Sequence, residues 1–77
     1  FMQSIKVFPN PSNGVVNFNL DKLNTVNLDV LSINGKTHKT YTNYNSRNVD
    51  LSFLDSGIYF LRFYVDNKNI IKKIIIK

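Results

Sequence analysis

The chain has 77 residues, 43% of them hydrophobic and 13% aromatic, and carries a formal net charge of +5. That is one domain's length, too apolar for a disordered segment, and no stretch reaches the about 18 apolar residues of a membrane-spanning helix. Cysteine is absent, which excludes disulfides and thiolate metal sites.

Alanine, glutamate and tryptophan are missing too, while asparagine occurs twelve times. Without Ala and Glu, and rich in Ile, Val, Thr, Phe and Tyr, the composition favours strands over helices. Asn belongs in the turns between them. Apart from the adjacent Lys72 and Lys73, the lysines are scattered, with no Arg/aromatic repeat. They lack the clustered basic patch of a nucleic-acid binder, and read as solubilising and edge-protecting charges. The opening FMQSIKVF has no charged region ahead of an apolar one, so it is not a signal peptide. A start on Phe rather than Met leads us to expect the terminal fragment of a longer secreted precursor.

IKVF (5–8) reads as a short first strand, ended by Pro9. In FPNPSNG (8–14), Pro9 and Pro11 stiffen the backbone and push Phe8 and Asn10 toward extended conformations. Asn13-Gly14 then turns the chain into VVNFNL (15–20), where Val16, Phe18 and Leu20 share one face. DKLN (21–24) is a turn. In VNLDVLSI (26–33), Val26, Leu28 and Val30 share a face, and Asn34-Gly35 follows as a hairpin signal of the type I′ kind. A two-residue turn there sets Leu28 opposite Tyr41 on the return strand KTHKTYTNY (36–44), whose polar faces mark an edge.

RNVDLSFL (47–54) puts Val49 and Leu51 on one face, and Phe53 and Leu54 close a bend at Asp55, Ser56 and Gly57. In IYFLRFYV (58–65), Tyr59, Leu61, Phe63 and Val65 alternate with Ile58, Phe60, Arg62 and Tyr64. A run this apolar on both faces predicts a central strand covered on each side. After DNKN (66–69), the last strand, IIKKIIIK (70–77), places Ile74 and Ile76 on one face, and Ile71 joins them if a bulge falls at Lys72 and Lys73. Seven such strands in one short domain predict an all-β fold, a small seven-stranded antiparallel immunoglobulin-like β-sandwich. A five-stranded OB-type barrel fits less well, because no pair of long curved strands is present.

No set of residues with matched catalytic roles appears. His38, the one histidine, lies on a polar strand without a histidine partner for a metal. Four of the five aspartates fall at turns or strand ends, and Asp29 lies mid-strand on the polar face. Asn10, Ser12 and Asn13 offer oxygens but no carboxylate to a cation. Gly14, Gly35 and Gly57 are too dispersed for a phosphate loop, and each reads as a turn residue at positive φ. The expectation is a chain that is not an enzyme and holds neither metal nor cofactor. Exposed Tyr41, Tyr44 and Tyr64 motivate an alternative: a carbohydrate-binding or adhesive sandwich appended to a secreted enzyme.

Four stretches, in order, carry a resemblance: VFPNPSNGVVNFNL, LDVLSINGKT, NVDLSFLDSGIYFLRF and the terminal KKIIIK. Together they resemble the type A C-terminal sorting domain of the type IX secretion system, from about Ile5 to Lys77. Phe8 stands where that family usually has Tyr, and LDSG replaces its commoner Leu-Pro-Ala-Gly. The resemblance implies a single domain, residues 1–77, carried behind an N-terminal cargo in a Gram-negative bacterium. The cargo passes through the periplasm, then across the outer membrane to the cell surface or medium. The implied partners are the outer-membrane translocon with its shuttle protein and a sortase-like cysteine peptidase, which usually removes the domain. Neither nucleic acid nor a membrane span is expected. The sorting-motif candidates are Pro9, Asn10, Pro11, Gly35, Lys36, Gly57, Tyr59, Lys72, Lys73 and Lys77. Gly57 and Tyr59 read mainly as structural: a bend, and a core anchor whose hydroxyl bonds backbone. Lys72, Lys73 and Lys77 suit either contacts with an acidic receptor or protection of a last strand otherwise open to a partner or a second copy.

Overall fold

The computed structural model describes residues 5–9, 13–19, 25–65 and 67–77. These form seven strands and no helix: β1 Val7–Phe8, β2 Val15–Phe18, β3 Val26–Ser32, β4 Thr37–Tyr44, β5 Asn48–Asp50, β6 Gly57–Val65 and β7 Lys68–Ile76. All pairings are antiparallel, in a three-stranded sheet of order β1-β2-β5 and a four-stranded sheet of order β4-β3-β6-β7. The expected all-β sandwich is what forms. The expected turn at 21–24 and the expectations for Asn10, Pro11, Ser12 and Leu20 fall outside the described residues.

Period-two alternation explains the core. Val16 and Phe18 of β2 and Val49 of β5 face Leu28 and Val30 of β3, Leu61 and Phe63 of β6, and Ile74 of β7, all essentially inaccessible to solvent. Ile5 and Leu51 complete this layer from just outside the strands. The Phe18 and Phe63 rings meet across the sheets, 5.2 Å apart and tilted, within the range that favours aromatic pairs.

Three expectations need correction. The β3–β4 turn is not a two-residue type I′ turn. The Gly35 amide donates to the Ser32 carbonyl, the Lys36 carbonyl accepts from the Ser32 amide, and only Gly35, at φ 90°, has positive φ there. The loop is thus three residues, with glycine in the left-handed position. Leu28 nevertheless pairs with Tyr41 as expected. The register shifts by one residue between Val30 and Leu31, where His38 is the unpaired extra residue, and this shift offsets the longer turn. A second shift lies near Asn43, at φ 53°, whose amide donates to the Asn27 side chain at 2.8 Å.

Secondly, β6 is central in its sheet but packed on one face only. Ile58 and Tyr64, on its other face, are exposed, and Phe60 and Arg62 are half-buried. Thirdly, β6 and β7 pair without a break from Gly57↔Ile76 to Val65↔Lys68, so no bulge turns Ile71 inward, and it is exposed. Gly57 has the expected positive φ, 158°, at the residue that opens β6.

Candidate recognition site

Tyr59 lies third in β6, on its inward face, and is 9% exposed. Its hydroxyl donates to the Asp55 carbonyl at 2.7 Å, four residues upstream. This is the tyrosine corner of immunoglobulin-like sandwiches, which ties the crossing between sheets to the strand that follows it. The bare α-carbon of Gly57 lies beside this ring: a Cβ there would stand 3.8 Å from it. The His38 ring packs edge-on against Tyr59, with centroids 5.6 Å apart. His38 is exposed on its polar strand as expected, and this ring contact, which the sequence did not reveal, depends on the register shift in β4.

On the outer face of the four-stranded sheet, Asp29 is buried although its strand face reads as polar. Its carboxylate accepts from Thr40 Oγ1 at 2.8 Å on β4, from an Arg62 guanidinium nitrogen at 2.9 Å and from the Tyr64 hydroxyl, both on β6. Burial pushes the Asp29 carboxyl up, but the bonds from Tyr64, Arg62 and Thr40 outweigh it and hold the carboxyl below its ordinary value. Arg62 also stacks over the Tyr64 ring, 5.3 Å from its centroid. The network locks three neighbouring strands together. Among the described residues, no three metal-ligating side chains converge.

The edges differ in kind. β1 and β5 are two and three residues long, and β4 is twice shifted in register. Short or irregular edges discourage pairing with other chains. β7 runs nine residues in unbroken register with β6, its partner strand among the described residues.

The pairings Ser32↔Tyr59 and Tyr59↔Ile74 gather most sorting-motif candidates at one end of this sheet. Gly35 and Lys36 lie at the β3–β4 turn, Gly57 and Tyr59 at the start of β6, and Lys73 and Lys77 along and just beyond the last part of β7. Lys72 pairs with Leu61 and Lys73 with Phe60, so these adjacent lysines point to opposite faces. Pro9 lies apart, just after β1 on the other sheet, following a cis peptide bond from Phe8. The tyrosines of the sugar-binding alternative do not form one platform. Tyr41 and Tyr44 pack against the core and against each other, 5.0 Å between centroids, and Tyr64 holds Asp29 on the outer face.

Among the described residues, fold and site define a small immunoglobulin-like sandwich with three short or irregular edges and one long regular one, and most of the sorting-motif candidates lie at one end of the four-stranded sheet. The family described as the secretion system C-terminal sorting domain matches residues 6–77, nearly the whole chain, and the chain belongs to that family. It is a type IX secretion sorting domain, which implies attachment to an N-terminal cargo, a secretion system to act on it, and export to the cell surface or beyond. The family is not one of enzymes. No curated relative matches the chain.

Proposed function

We propose that the domain is the address read by the outer-membrane translocon and its shuttle protein after the cargo has reached the periplasm. A sortase-like cysteine peptidase then removes it. The family membership carries this reading. β7 supports it as the end strand of its sheet among the described residues, nine residues of regular extended chain that a receptor can read. The lysines at positions 68, 72, 73 and 77 then have two compatible uses, discouraging self-pairing and attracting an acidic receptor.

The test is a fusion of residues 1–77 behind a fluorescent reporter with an N-terminal export signal, produced in a host with type IX machinery. The expected outcome is reporter on the cell surface or in the medium, with the domain missing from the mature product. A folded, intact fusion retained in the periplasm overturns the sorting role. A surface product that keeps the domain overturns the cleavage step alone.

A further inference from the structure

The outer face of the four-stranded sheet has no second layer among the described residues, yet one end of it is apolar. Leu31, Ser32, Ile33, Gly35, Phe60 and Ile71 line an open depression of about 230 Å³. Ile33 and Ile71 on its rim are 68% and 56% exposed, and Ile58 nearby is 40% exposed. A Cβ on Gly35 would meet nothing within 4 Å, so the mouth is open on that side. Contiguous apolar surface on a small soluble domain marks a contact site more often than scattered apolar residues do.

The charge around the depression restricts its occupant. Lys36 and Lys73 are exposed beside it. Asp29, the acidic residue on the paired strands of this face, is bound to Arg62 at 2.9 Å. Two copies meeting here would bring their Lys36 side chains together, with +5 on each chain. A partner with carboxylates around one apolar side chain fits both features.

We propose that this depression docks an acidic surface of the export machinery, which inserts one apolar side chain between Ile33 and Ile71 and sets carboxylates against Lys36. The inference rests on the sorting reading and adds to it a face of the sheet distinct from the β7 backbone edge.

The reporter fusion tests it in three forms: wild type, I33D/I71D and K36E. Both isoleucines are exposed, so the melting temperature of the purified variant domains stays near that of wild type. Wild type is exported, I33D/I71D loses surface reporter by roughly ten-fold or more, as expected when an apolar anchor is removed, and K36E loses several-fold. If I33D/I71D melts early, I33N/I71T takes its place. Normal export of the folded double variant overturns the docking surface, whereas failure of wild type itself overturns the sorting reading instead. Two further outcomes also overturn the proposal. A wild-type dimer in sedimentation that I33D/I71D dissolves assigns the face to a second copy. Binding to phosphatidylglycerol vesicles that I33D/I71D abolishes assigns it to a membrane.

Discussion

Tyr59 holds its corner through two separable contributions. The ring fills core space between Asp55 and the start of β6, and the hydroxyl bonds the Asp55 carbonyl at 2.7 Å. Tyr59→Phe keeps the first and loses the second, so it costs about 1 kcal/mol. Tyr59→Ala loses both and costs about 3 kcal/mol or more. Urea unfolding of the two variants checks this, and equal midpoints for the two would show that the ring contributes nothing beyond its hydroxyl bond. Gly14 makes a different demand. It is buried at φ 126°, and a Cβ there would stand 3.1 Å from both the α-carbon and the side chain of Ser52. Its carbonyl also accepts from the Leu51 amide at 2.7 Å. Gly14→Ala therefore costs about 2 kcal/mol, through strained backbone and crowding together, which the same unfolding experiment measures. Tyr59 was readable as an anchor because it alternates with Leu61 and Phe63. Gly14 was readable as a turn residue, but the close approach of Ser52 was not, since it depends on how a distant segment crosses the sandwich.

Among the elements, β3 is tied to both neighbours through Asp29, and the tie is pH-dependent. The folded carboxyl lies below its ordinary value, so its contribution is complete above the unfolded value, about pH 4, and is lost as pH falls through the folded one. Asp50 contributes in the same direction through bonds from Ser52. The melting temperature of wild type therefore falls on acidification below about pH 4. Asp29→Asn starts lower at neutral pH and falls less steeply, because only Asp50 remains to be protonated among these two. An unchanged slope in the variant would show that the network does not sense pH. The sequence placed Asp29 correctly mid-strand on the polar face. It gave no sign of burial, because the cover comes from Arg62 and Tyr64, more than thirty residues away. The open outer face of β6 was misjudged for a related reason. An apolar run looks the same whether a second layer covers it or a partner is to meet it.

At the scale of the whole molecule, strands, faces and order were legible, since each depends on period-two alternation and on local turn residues. The distribution of strands between sheets and the quality of each edge arise from long-range pairing. Edge quality bears on how export is best tested. Deleting residues 70–77 removes Ile74 and Ile76 from the core as well as most of β7, so the loss of export expected from it reports folding and recognition together. Substitutions at exposed positions such as Ile33 and Ile71 separate the two.

The hairpin between β3 and β4 spends one residue more at its tip than a minimal turn needs, and another at His38, so that the strands below remain aligned. That surplus residue is not idle: released from the ladder, its imidazole lies against the tyrosine whose hydroxyl anchors the crossing to the other sheet. A hairpin trimmed to the shortest loop would keep Leu28 opposite Tyr41 but would have no residue to spare for that brace. Local economy in the turn and rigidity at the neighbouring corner are thus coupled, and a change in loop length would be felt at the crossing between the sheets.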